Sequence, residues 1–152
     1  MYSQAEASLV KQKFWTSLGM YLAPIPSSNG EKVNWINYKT GIKGIAFKMD
    51  ADKNRSSVMI EILLGNTMLQ HQYFDIFNNF ASDFKKTLCE DWIFHKNYFI
   101  ENKGNVSLII VQKENTNVFK QEDWPTIISF LKQQILGLDE FWIAYKPAFE
   151  LI

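Results

Sequence analysis

The sequence predicts an α+β domain in the order αββαββα, with a mostly antiparallel sheet of four or more strands packed against three helices. Three observations carry that expectation. Apolar residues recur every three or four positions in three long stretches, near the start, middle and end of the chain, as a helix with one buried face requires. Four shorter stretches rich in Val, Ile and Phe alternate with the period of a strand. These strands come in two adjacent pairs joined by polar segments, which favours hairpins, whereas a doubly wound parallel sheet needs single strands alternating with helices.

Length and composition narrow the class further. The 152 residues contain no obvious linker and read as one domain, 1–152, able to bury roughly two thirds of its extended-chain surface without covalent staples. A hydrophobic fraction of 47% excludes wholesale disorder. Twelve Phe, six Tyr and five Trp are more than such a core needs, so part of the aromatic surface is expected in a groove or interface. The single Cys89 excludes an internal disulfide framework and suits a reducing cytoplasm. There is no basic-then-apolar leader, and no apolar run approaches the roughly 18 residues of a membrane span, so no membrane association is expected. Sixteen basic and sixteen acidic residues cancel, and Arg55 is the only arginine. Nucleic acid is therefore an unlikely main partner, since bidentate phosphate and guanine contacts favour arginine.

The first helix is expected over 3–21. Ser3 and Glu6 form a capping-box pattern, with Ala7, Val10, Phe14, Leu18 and Tyr21 facing inward. Pro24 and Pro26 stop it. Residues 27–41 form a long loop in which Trp35 and Tyr38 either fold back over the core edge or serve recognition, with Asn34, Asn37 and Lys39 as polar contacts. The first strand carries Ile45, Phe47 and Met49. The second carries Val58, Ile60, Ile62 and Leu64 on one face and Met59, Glu61 and Leu63 on the other, so both sheet faces are expected to be partly covered. Asn66 or Thr67 caps a second helix ending near Leu88, with Leu69, Tyr73, Ile76, Phe80 and Phe84 inward. Two more strands, 92–101 and 105–113, turn at Asn102 and Gly104, where glycine accepts positive φ. Alternation puts Trp92, Phe94 and Tyr98 on one face of the third strand and Ile93, His95 and Phe99 on the other. A loop with a short extended piece at 117–119 leads to the last helix, 123–145. There Asp123 is the expected cap, Ile128, Leu131, Ile135, Leu138, Trp142 and Tyr145 form the main stripe, and Ile127, Phe130 and Phe141 a second row.

The search for chemistry yields only weak candidates. Asp50, Asp52, Asn54, Ser56 and Glu61 fall in a calcium-loop register, but Arg55 stands where the turn demands glycine and strands flank the loop. A metal-dependent nuclease would need converging carboxylates beside a lysine. Asp50, Asp52 and Glu61 with Lys48 are the weak catalytic candidates, with Leu63 where the lysine of Glu-x-Lys is expected. His71 and His95 lie in no ligand motif, and Cys89 reads as a half-buried helix-end residue. No metal site and no cofactor are expected. Trp35, Tyr38, Trp92 and His95 would line a small-ligand site if the long loop folded over the third strand.

Two strings, WINYKTG at 35–41 and LDEFW at 138–142, lie within longer runs that together resemble a bacterial family called domain of unknown function 4268. The resemblance covers nearly the whole chain. It implies a bacterial source, with small stand-alone members in Bacteroidetes, and other members that form the C-terminal part of larger proteins, some carrying nuclease-like or defence-related domains. It implies no catalytic residue. The leading expectation is a non-catalytic, cytoplasmic interaction or accessory domain that self-associates as a homodimer or docks on a partner protein. The alternatives are a divergent metal-dependent nuclease-like enzyme and a small-ligand-binding module.

Overall fold

Strand alternation and helical periodicity build a two-layer α+β structure in the computed structural model, which describes residues 2–152. The order is α1 (Gln4–Leu22), β1 (Ile45–Ala51), β2 (Arg55–Ile62), α2 (Thr67–Asn79), α3 (Ala81–Leu88), β3 (Ile93–Ile100), β4 (Gly104–Glu114), a 3-10 turn (Gln121–Asp123) and α4 (Trp124–Glu150). Both expected hairpins form, and they join through their second strands into one antiparallel sheet of order β1-β2-β4-β3. Glu61 pairs with Ala46 and Leu108, and Val58 with Met49 and Val111. That register lines Phe47, Val58, Ile60, Ile109 and Val111 on one face, all buried in the main core with the helices.

The first helix starts as its residues dictate: Ser3 Oγ accepts from the Glu6 N–H and the Glu6 carboxylate from the Ser3 N–H. Phe14 and Leu18 are buried, but Leu22 closes the inner face and Tyr21 is exposed. The expected second helix is in fact two, so four α-helices cover the sheet instead of three. The break falls at Phe80, which leaves helical angles after Asn78 and Asn79, residues of weak helix propensity. Its packing reason is visible on either side. Phe77 stacks against Trp142 and Phe141, while Phe84 meets Trp92, Phe94 and Phe141 edge-on. Both rings thus reach Phe141 of α4, and the break changes the angle at which they do so, Phe77 stacked on it and Phe84 edge-on. Within α2 the buried residues are Gln70, Tyr73, Phe74 and Phe77; Leu69, Ile76 and Phe80 are only half-buried.

The last helix is the packing centre, with Ile127, Leu131, Ile135, Leu138 and Trp142 buried. Ile128 and Tyr145, expected on the main stripe, are half-buried at its flank. Asp123 does not cap it: its carboxylate accepts from the Asn117 N–H, and the 3-10 turn leads into the helix. Residues 117–119 form no strand, although Val118 is fully buried. The helix also runs past Pro147 to Glu150, held by buried Phe149 against Phe77 and Trp142.

Two further expectations are corrected in β3. A register shift between His95 and Tyr98 moves Tyr98 onto the face of Ile93 and His95, as one extra residue does in a strand whose sides alternate. And the helices take only one sheet face. The rows built on Met59, Leu108 and Val106 lie outside the main core cluster, so the second face is bare of helices: Leu108 and Val106 are buried among their neighbours, Met59 and Ile110 are half-buried, and Ile93 and Tyr98 are exposed.

Gln134 is fully buried on α4, and neither its Oε1 nor its Nε2 has a hydrogen-bond partner in the protein. Burying an unpaired polar group costs about 1–3 kcal/mol, and methionine is close in length and shape. Gln134→Met is expected to raise stability by about 1–2 kcal/mol, read as a higher urea midpoint at unchanged slope. A loss of stability would show that the amide is satisfied inside the fold.

Candidate functional site

The four carboxylate-and-lysine candidates separate into two places. Glu61 sits on the bare sheet face with only 8% of its side chain exposed. Lys48 from β1 and Lys103 from the β3–β4 turn each reach it at 3.1 Å. Asp50 pairs with Ser57, four residues before Glu61 on the same strand face, a separation of roughly 13 Å. Asp52 caps the hairpin tip, accepts from the Lys53 N–H and pairs with Lys11 of α1 at 3.3 Å. The carboxylates thus do not converge, and among the described residues no three His, Cys, Asp or Glu gather as a metal site needs.

The lysine cluster has a pH signature. Burial alone would raise the Glu61 carboxyl, but hydrogen bonds from Lys103 and Lys48, with their charges, outweigh it and hold it below its usual value of 4.5. A carboxyl lowered on folding adds stability above its unfolded value and loses it as pH falls through the folded one. The stability gap between the native chain and Glu61→Gln is expected to be at most about 1 kcal/mol near neutrality, because both lysines are well exposed. It should close between about pH 5 and pH 3 in urea unfolding. A gap that stays constant over that range would mean the lysines contribute nothing through charge.

The aromatic candidates also divide. Trp35 and Tyr38 lie together, ring centroids 6.0 Å apart, and Tyr38 stacks on Phe47 of the β1 edge strand. Trp92 is buried against Phe84 beside β3, at the opposite edge, roughly 14 Å away across three strand spacings. His95 is on the bare face, 5.1 Å from the Tyr98 ring. The long loop folds along α4 and not over the third strand, so these four residues do not form one pocket. His71, on α2, is hydrogen-bonded to Asn97. Cys89, expected half-buried, is an exposed left-handed C-cap of α3.

Two arrangements emerge that the sequence reading did not assemble. The first is the bare face itself. Met59, Ile110 and Ile93 make one row across β2, β4 and β3; Leu108 and His95 follow, then Val106 and Tyr98. Ile93 is 56% exposed and Tyr98 42%. On the β1 side Lys48 stands in the Met59 row and Asp50 in the next row beyond it, while Lys103 reaches in to Glu61 from the β3–β4 turn.

The second is a clamp on the long loop. Asp139, 2% exposed on α4, accepts from the Ser27 hydroxyl at 2.9 Å, the Ser28 N–H at 2.7 Å and the Tyr38 hydroxyl at 2.6 Å. One turn on, Trp142 Nε1 donates to the Thr40 carbonyl at 2.9 Å, while Trp35 Nε1 donates to the Ile25 carbonyl within the loop. WINYKTG and LDEFW therefore meet in space. Burial, then the hydrogen bond to Asp139 and its charge, pushes the Tyr38 phenol far above its usual 10.0. Between loop and helix lies an open cleft of about 630 Å³, within the usual range for small-molecule sites of roughly 300–1,000 Å³. The sequence signal for this clamp was available: Asp139 stands four residues after Ile135 and three before Trp142, a lone acid among the helix's buried positions.

A family model described as Domain of unknown function (DUF4268) matches residues 10–146. Neither the curated proteins nor the solved structures give a match.

Proposed function

We propose that this chain, which belongs to the family described as Domain of unknown function (DUF4268), is a non-catalytic interaction domain that self-associates, with a second copy covering the bare face of its sheet. The observation that carries the reading is the row of Met59, Ile110 and Ile93 with Tyr98 beside it, apolar surface in water on a face that no helix takes. The charges argue for a second copy as the occupant. A two-fold axis lying between the sheets and crossing the strands sets the apolar β3 and β4 of one copy over those of the other and reverses strand direction. Strand β1 then lies over its own copy in reverse, so Lys48 faces Asp50, which has no ion-pair partner among the described residues. An axis along the strands would instead lay Lys48 on Ile93, an uncompensated charge on apolar surface. An apolar centre with a charged rim suits a self-complementary interface. The lone, exposed Cys89 fits a reducing compartment, so a cytoplasmic location belongs to the same reading, as does the bacterial source that WINYKTG and LDEFW imply.

Sedimentation equilibrium from about 1 to 100 μM tests it. A monomer–dimer equilibrium is expected. Ile110→Lys should leave a folded monomer by circular dichroism, and Asp50→Lys should weaken the dimer by setting lysine against lysine. A monomer across the range would sink the reading, as would a dimer indifferent to both substitutions. Among the described residues no helix is long and apolar enough to cross a membrane.

A further inference from the structure

We infer that the cleft between α4 and the 27–41 loop binds a small polyanion, a phosphorylated or polycarboxylated molecule. The chemistry of its lining decides the ligand class, because its lysine ammoniums have no acidic partner while the Asp139, Asn34 and Asn29 side-chain oxygens are already engaged. The Asp139 carboxylate is taken by Ser27, Ser28 and Tyr38. Asn34 Oδ1 accepts from the Ile36 and Asn37 N–H groups, and Asn29 Oδ1 from the Glu31 N–H. Those bonds use each amide's oxygen and leave its NH₂ group without a partner among the described residues. Lys32, Lys39 and Lys146 line the same cleft, and none has an acidic partner within 4.0 Å among the described residues. Against three ammonium groups stand two carboxylates, Glu31 and the buried Asp139, whose oxygens Ser27, Ser28 and Tyr38 already hold. A ligand that satisfies this surface must bring acceptors and negative charge.

Gly41 supports the placement of the third lysine. Its φ is +80°, and a Cβ there would lie 2.5 Å from Lys146 Nζ. The missing side chain lets the Lys146 ammonium sit against the loop at Gly41, in the cleft that Lys39 and the asparagines also line. Lysine is a point charge with rotatable donors, and three of them suit an anionic group of several oxygens without demanding a fixed fork. The clamp at Asp139 holds the loop in this geometry before any ligand arrives, which lowers the entropy lost on binding. The helical layer separates this cleft from the bare sheet face, so the inference stands independently of self-association.

The experiment is a titration of the isotope-labelled full chain with sodium pyrophosphate, citrate or chloride at constant ionic strength, following backbone and asparagine side-chain amide resonances. Pyrophosphate or citrate is expected to give saturable shifts centred on Asn34 and Asn37. The tighter of the two assigns phosphate or polycarboxylate chemistry. The double variant Lys39→Gln, Lys146→Gln should bind about tenfold more weakly or worse with an unchanged unfolding midpoint, and Lys53→Gln at the distant hairpin tip should bind as before. Shifts that rise linearly and scatter over lysines throughout the surface, or an affinity unchanged in the double variant, would overturn the inference.

Discussion

Trp142→Ala is expected to cost about 3–5 kcal/mol, the range for removing a large buried aromatic side chain and leaving a cavity. Trp142 is 1% exposed and its ring touches Phe47 from the sheet, Phe77 from α2 and Phe149 from the end of its own helix. Its Nε1 also holds the Thr40 carbonyl. The residue therefore joins all three parts of the core to the long loop. Against a typical total of about 5–15 kcal/mol, its loss would leave the fold marginal. Trp142→Phe keeps much of the packing but strands the Thr40 carbonyl, and should cost about 1–3 kcal/mol. Leu131→Ala, at the fully buried centre of α4, should fall at about 2–5 kcal/mol. Urea unfolding with a common slope measures all three, and a cost below about 1 kcal/mol for Trp142→Ala would contradict the register of α4.

Asp139→Ala should cost about 2–4 kcal/mol, because it leaves the Ser27 hydroxyl, the Ser28 N–H and the Tyr38 hydroxyl without their acceptor. The relief of no longer burying a charge offsets part of the loss, which keeps the figure below the sum of three charge-assisted bonds. Tyr38 provides a second readout that a merely structural cavity would not move. In the folded chain its phenol is raised above 10.0 by burial and by Asp139. A group raised on folding adds stability that is fully present below its unfolded value and lost as pH climbs past it. Without the carboxylate the folded value drops toward 10.0, so the stability gap between the native chain and Asp139→Ala should narrow only above about pH 10, where the variant's folded phenol ionises and the native one does not. A gap independent of pH would mean that Tyr38 does not feel Asp139.

By itself the sequence determined several properties that depend on neighbours along the chain. The Ser3–Glu6 capping box, the turn before Gly104, both hairpins and the apolar face around Leu131 and Leu138 follow from spacings of a few residues, and such spacings survive any tertiary arrangement. Tertiary structure decided the rest. The break at Phe80 lets Phe77 stack on Phe141 while Phe84 meets the same ring edge-on together with Trp92 and Phe94, and nothing in the helix's own period announces it. The shift in β3 is set by pairing with β4, and it turned Tyr98 onto the other face. Helix α4 continues through Pro147 because Phe149 is gripped by Phe77 of α2. Asp139 shows the limit most sharply. A lone acid at a buried helical position signals that donors must come to it, but its partners Tyr38 and Ser27 lie 101 and 112 residues earlier. A period describes one face of one element; what that face meets is decided only when distant segments close on it.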